Sequence, residues 1–99
     1  MYIIIWEFRP AANRRDDFET VYGRKGRWAQ LFACASGYLG TELARDAKDT
    51  TRYVTVDRWQ TAQAYEEFRA KYGAEYSELD AACEELTSLE VLVGQFIDV

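Results

Sequence analysis

Hydrophobic and polar positions alternate along residues 2 to 8, with Tyr2, Ile4, Trp6 and Phe8 on one face and Ile3, Ile5 and Glu7 on the other. A period of two marks a β-strand, and apolar residues on both faces predict cover on both sides. Pro10, which has no N–H to donate, ends it. From Arg14 to Tyr22 the period lengthens to that of a helix, with Phe18, Val21 and Tyr22 as the apolar stripe. Asn13 is the expected N-cap, and Asp16 and Asp17 lie near the positive end of the helix dipole. Gly23 and Gly26 break the pattern. Trp28, Leu31, Phe32 and Ala35 then predict a second short helix.

Ser36-Gly37 signals a turn into a strand over residues 38 to 46, with Leu39, Thr41 and Leu43 alternating against Tyr38, Gly40 and Glu42. A polar loop at residues 47 to 50 leads to a third strand over 51 to 59, rich in β-branched and aromatic residues. Thr61 is the expected cap of the next helix, whose face carries Tyr65, Phe68 and Tyr72. Gly73 interrupts it, and Tyr76, Leu79, Cys83 and Leu86 resume the helical spacing. Residues 88 to 98 return to strand, with Leu89, Val91, Val93 and Ile97 opposite Leu92 and Phe96.

The order β, α(α), β, β, α(α), β predicts an α+β, ferredoxin-like βαββαβ fold, one domain over residues 1 to 99. Helices would cover one face of a four-stranded antiparallel sheet. Ile3, Ile5, Val54 and Val56 would leave the other face apolar and open. A homodimer, with two sheets facing each other as a dimeric α/β barrel, is the expected remedy.

Composition narrows the chemistry. With 12 basic and 17 acidic residues the net charge is −5, and Asp16, Asp17 and Glu19 interrupt the loose basic cluster around Arg14 and Arg24. No coherent positive face is expected, so no nucleic-acid partner is. No apolar run has the length of a membrane span. The segment Met1 to Arg9 lacks a basic signal region and reads as the first strand of a cytoplasmic protein. There is no histidine, which removes His-based acid–base chemistry, Ser-His and Cys-His nucleophiles and most zinc or haem sites. No metal and no cofactor are expected. Cys34 and Cys83 both fall in apolar helical patterns and are expected to be buried thiols.

Three Trp, seven Tyr and five Phe are a heavy aromatic load for a chain of 99 residues. The strand from Arg52 to Trp59 runs straight into the helix carrying Tyr65, which can aim an indole and a phenol into one space between sheet and helices. Thr55 shares a strand face with Trp59. The expected pocket is walled by Trp59 and Tyr65, with Thr55, Trp6, Trp28, Phe32, Tyr72 and Tyr76 contributing. Plain core packing is the competing role for each of these rings. Asp57 lies on the same face. Its expected partner is an arginine at the strand end; a buried, unpaired carboxylate there would have a raised pKa and could act as a base.

The run Gly37-Tyr-Leu-Gly-Thr-Glu-Leu43 and the pattern Tyr53-x-Thr55-x-Asp57-x-Trp59 followed by Tyr65 resemble the antibiotic biosynthesis monooxygenase-like superfamily of dimeric α+β barrels. The resemblance spans nearly the whole chain in element order. In the cofactor-free oxygenases of that superfamily, an Asn four residues before the Trp, the Trp itself and a Tyr six after it line the substrate cavity. Trp59 and Tyr65 match two of these, and Thr55 stands at the Asn position. The family's Arg from the later helix has no counterpart near Tyr76, Glu78 and Leu79. The haem-degrading branch requires an axial His, which the chain lacks.

The resemblance implies a cofactor-independent monooxygenase acting on a small aromatic molecule, a phenol or hydroquinone, with Trp59 and Tyr65 as the catalytic donors. The alternative is a non-enzymatic dimeric module that binds a small ligand or only assembles. A polar pair converging in an open pocket favours the first, and a pocket filled by Trp59, Tyr65 and Phe68 favours the second.

Overall fold

A computed structural model describes all 99 residues, Met1–Val99. The elements in order are β1 (Tyr2–Pro10), α1 (Arg15–Tyr22), α2 (Arg27–Phe32), β2 (Tyr38–Arg45), β3 (Tyr53–Trp59), α3 (Ala62–Lys71), α4 (Gly73–Cys83), a 3₁₀ turn (Glu84–Leu86) and β4 (Thr87–Ile97). The strands form one four-stranded sheet in the order β2-β3-β1-β4, with every pairing antiparallel. This is the α+β, ferredoxin-like plan. No helix is long and apolar enough to cross a membrane.

The helices cover one sheet face. On that side Ile4 and Phe8 of β1 and Tyr53, Thr55, Asp57 and Trp59 of β3 are buried. Cross-strand partners share a face, so Tyr2, Trp6, Thr41 and Leu43 also point towards the helices. The rings there form two groups. Phe8, Phe18, Tyr22 and Tyr53 pack at one end of the sheet, with Phe18 and Tyr22 stacked at 4.6 Å between centroids. Phe32, Trp59 and Phe68 pack at the other.

Two bulges change the faces expected from strict alternation. The β2–β3 register shifts between Tyr38 and Gly40, so Leu39 is skipped and Tyr38 and Thr41 fall on the same side. Gly40, at φ 147°, supplies the backbone conformation that the shift needs. A second shift in the β1–β4 pairing leaves Val93 unpaired. It places Phe96 across from Ile3 and Ile97 across from Tyr2, reversing the faces that alternation assigns to these two residues.

Thr61 caps α3, its side chain accepting from the Ala64 N–H at 3.0 Å. Asn13 does not cap α1. It sits in the left-handed region at φ 63°, and the residue preceding the helix is Arg14, which makes no side-chain cap bond. Cys34 is exposed rather than buried, because α2 ends at Phe32 and the chain turns outward; Cys83 is buried as expected.

The second face of the sheet is uncovered within this chain. Ile3, Ile5, Val54 and Val56 are only half-buried, and Val91 and Phe96 are each 44% exposed.

Phe68 keeps 1% of its surface, whereas Leu39, skipped by the bulge, keeps 52%. Phe68→Ala is therefore expected to lower stability by about 3–5 kcal/mol and Leu39→Ala by less than about 0.5 kcal/mol. Urea unfolding followed by tryptophan fluorescence checks both values.

Candidate functional site

Between the two aromatic groups the sheet carries small polar side chains. Thr55 and Asp57 point up from β3, and Thr41 from β2 pairs with Asp57 across the strands. Side chains this short cannot fill the height between sheet and helices, and a cavity opens above them. It is lined by Trp6, Phe8, Tyr22, Trp28, Phe32, Thr41, Thr55, Asp57, Tyr76 and Glu90. About 30 Å³ of it is open to the centre of a water molecule, against the roughly 10–15 Å³ that one water needs. That is room for about two water molecules. The exposed Glu90 of β4 marks the mouth.

Asp57 is 6% exposed. Its Oδ1 accepts from Thr41 Oγ1 at 2.7 Å, and Thr41 Oγ1 accepts in turn from the Tyr38 hydroxyl at 2.6 Å. The β2 bulge makes this chain of bonds, since it brings Tyr38 and Thr41 onto one face. Burial disfavours the charged carboxylate and pushes its pKa up to about 6, against the smaller opposing effect of the Thr41 hydrogen bond. The expected arginine partner is absent. Arg58 points to the opposite face and pairs with Glu42, and Arg52 is held by Glu7 and Asp46. Strand alternation forbids either from turning inward.

The structure brings Thr55, Trp6, Trp28, Phe32 and Tyr76 together on the cavity wall. It places Trp59, Tyr65 and Tyr72 elsewhere. Trp59 has no exposed surface, and its indole is surrounded by Phe32, Tyr38, Tyr65 and Phe68 at centroid distances of 5.2–5.6 Å. The physical reason is the short connection. Thr61 starts α3 two residues after Trp59, so the helix folds back at once and lays Tyr65 and Phe68 on the indole. Tyr72 stacks on Phe68 at 5.6 Å, and its hydroxyl donates to the Cys34 carbonyl at 3.4 Å.

The Trp59 indole N–H is buried without an acceptor, whereas that of Trp28 lies beside the Tyr22 hydroxyl and Cys83 Sγ. Such an orphan costs on the order of 1–3 kcal/mol. Trp28, unlike Trp59, lines the cavity.

Sequence reasoning missed Thr41, Glu90 and Arg69. Thr41 depends on the bulge. Glu90 is the one charged residue within β4, which was a usable signal. Burial, then the nearby Asp80 charge, raise the pKa of the Glu90 carboxyl. Arg69 of α3 lies over the Tyr76 ring at 3.8 Å and donates to the Tyr65 hydroxyl at 3.0 Å, so an arginine stands behind the cavity wall from the earlier helix. No group of three or more Cys, Asp or Glu side chains is placed to hold a metal ion.

Comparison with known proteins supports the same architecture. The family model described as antibiotic biosynthesis monooxygenase matches residues 1–72. No curated relative of significant similarity was found. Among solved structures, a variant of SnoaB, a cofactor-independent oxygenase from Streptomyces nogalater, superposes with a TM-score of 0.79 at 22% identity, over 98% of this chain and 91% of that one. Rv0793 from Mycobacterium tuberculosis superposes with a TM-score of 0.72 at 17% identity, over 99% and 94%. At these identities the likeness is one of fold.

The raised Asp57 pKa has a consequence for stability. Between about pH 4 and pH 6 the folded chain holds a proton that the unfolded chain releases. Its contribution therefore lowers stability as pH rises through that window, by roughly 3 kcal/mol in all. Asp57→Asn retains an acceptor for Thr41 and cannot ionise. It is expected to be the more stable protein at pH 7.5, with the advantage vanishing near pH 4. Thermal unfolding at both pH values measures the difference.

Proposed function

We propose that this chain, which belongs to the antibiotic biosynthesis monooxygenase family, is a cofactor-independent monooxygenase that oxidises a small electron-rich aromatic molecule, a phenol or hydroquinone, above Asp57. The observation that carries the reading is a buried carboxylate with one hydrogen-bond donor, at the floor of a cavity walled by aromatic rings. The fold shared with a cofactor-independent oxygenase supports it.

In this mechanism ionised Asp57 accepts the substrate hydroxyl proton. The phenolate that forms is electron-rich enough to pass an electron to dioxygen and then combine with it at a ring carbon. The Asp57 proton goes to the peroxide, water leaves, and the ring carbon becomes a carbonyl. One phenol and one dioxygen give one quinone and one water. Trp6, Phe32 and Tyr76 hold the ring and exclude water. The Thr55 hydroxyl and the Trp28 N–H, both on the cavity wall, are the donors for the developing charge on oxygen. Trp59 and Tyr65 act from behind, with Trp59 supporting Phe32 and Tyr65 holding Arg69 against Tyr76.

The test is oxygen consumption with a panel of hydroquinones. Wild type should turn over, with a rate rising as pH increases through about 6 because the base must be ionised. Asp57→Asn should lower the rate by about 10²–10⁴-fold, and Tyr65→Phe by much less. The filled space around Trp59 favours a second reading, a ligand-binding module without turnover. Quenching of tryptophan fluorescence by hydroquinones with no oxygen uptake would select it.

The open sheet face completes the proposal. Two copies packed through Ile3, Ile5, Val54, Val56, Val91 and Phe96 would form a closed dimeric barrel. Sedimentation at micromolar concentration should give a dimer, and Val56→Asp should give a monomer. A folded wild-type monomer would contradict this.

A further inference from the structure

The bulge at the start of β2 is unfavourable on its own. It leaves Leu39 without a partner and 52% exposed. It also places a glycine, Gly40 at φ 147°, within a strand, where the lost backbone freedom weakens the strand. In a regular strand Tyr38 and Thr41, three residues apart, would point to opposite faces. Here they share one, paired with Trp59 and Asp57 respectively. The result is a chain of two hydrogen bonds that ends on a buried acid. The Tyr38 hydroxyl donates to Thr41 Oγ1 at 2.6 Å, and Thr41 Oγ1 donates to Asp57 Oδ1 at 2.7 Å. A threonine hydroxyl has a single proton. Because Tyr38 supplies the donor that the Thr41 oxygen accepts, the Thr41 proton is left to point at Asp57. A hydroxyl that accepts a hydrogen bond is also the stronger donor.

We infer that Tyr38 is a positioning residue for Asp57: through Thr41 it holds a hydroxyl proton on the carboxylate and so favours the ionised form that accepts a proton from a substrate. This rests on the reading of Asp57 as the base and adds the residue that sets its strength. The other groups that face Asp57 do not take that part. Tyr22 of α1, Tyr76 of α4 and Glu90 of β4 line the same cavity, and none of them bonds to Asp57. From β1 and α2 only the uncharged rings of Trp6, Phe8, Trp28 and Phe32 line it. Arg69 of α3 is turned onto the Tyr76 ring and the Tyr65 hydroxyl. Burial raises the pKa of the Tyr22, Tyr38 and Tyr76 phenols, so all three stay neutral while Asp57 titrates. Glu90 can change its charge, but it is common to every variant below, and its influence cancels in the comparison.

The test is the carboxyl titration of Asp57, followed by ¹³C NMR in wild type and variants, because a role in packing alone would not move its midpoint. Thr41→Val deletes the one donor on the carboxylate while keeping the side-chain shape. It should raise the midpoint by about one to two pH units. Tyr38→Phe keeps the ring and should raise it by about 0.2–0.5 pH units. Thr41→Ser restores the hydroxyl and should keep the wild-type midpoint. In a Thr41→Val background Tyr38→Phe should have no further effect, since its influence runs through Thr41. The profile of oxygen uptake against pH should move upward by the same amounts. A midpoint unmoved or lowered in Tyr38→Phe, or one that moves equally with and without the Thr41 hydroxyl, would overturn the inference. Absence of oxygen uptake with every hydroquinone would remove the reading of Asp57 as a base. The NMR midpoints would then still decide whether Tyr38 acts on the carboxylate.

Discussion

Trp59 gives up its whole surface to Phe32, Tyr38, Tyr65 and Phe68, and that packing decides where the remaining parts of the molecule can lie. It anchors the start of α3 to the end of β3 and holds Phe32, and with it α2, over one end of the sheet. Burial of four large rings together is worth several kcal/mol. The aromatic cluster around Phe18 and Tyr22 anchors the opposite end. Between these fixed ends the helices are held above the sheet at a height set by rings. The short Thr41, Thr55 and Asp57 side chains beneath cannot reach that height. The cavity is thus a consequence of packing on either side of it, and it can persist without a ligand.

The same arrangement sets the chemistry. A carboxylate beneath a layer of rings loses hydration that a single hydroxyl donor cannot replace, so Asp57 holds its proton to about pH 6. A solvent-exposed aspartate would be a far weaker base. The protein thereby keeps a group poised near neutral pH with no histidine in the chain. The energetic cost falls on the fold, which is less stable above pH 6 than it would be with a neutral side chain there. Such a conflict between stability and a buried charge is expected where a side chain serves function.

Much of the fold was legible in the sequence, because it follows from periodicity. The alternation in residues 2 to 8 and 52 to 59, the Thr61 cap, the glycines between helices and the apolar stripes led to the element order observed. The site was legible in part. Thr55, Trp6, Trp28, Phe32 and Tyr76 could be placed on the inner side from their periods alone. What could not be read was anything that turns on one residue's worth of register. The bulge at Leu39 brings Thr41 beside Tyr38, and the bulge at Val93 turns Phe96 outward. The only local marks are Gly40 beside the first bulge and Gly94 beside the second. The position of the pocket along β3 also escaped, since it depends on the length of the link to α3. A two-residue link closes the space over Trp59 and leaves the opening over Thr55 and Asp57.

The central claim is that the buried Asp57 is an uncompensated carboxylate at the floor of the cavity, and its titration is the most direct measure of that. A ¹³C-detected NMR titration of the aspartate carboxyl carbons, with Asp57 assigned by its loss in Asp57→Asn, reads its pKa without reference to any substrate. The account predicts a midpoint near pH 6. A midpoint at or below about 4, the ordinary range of an aspartate, would mean that the carboxylate is solvated or paired, and would contradict the account.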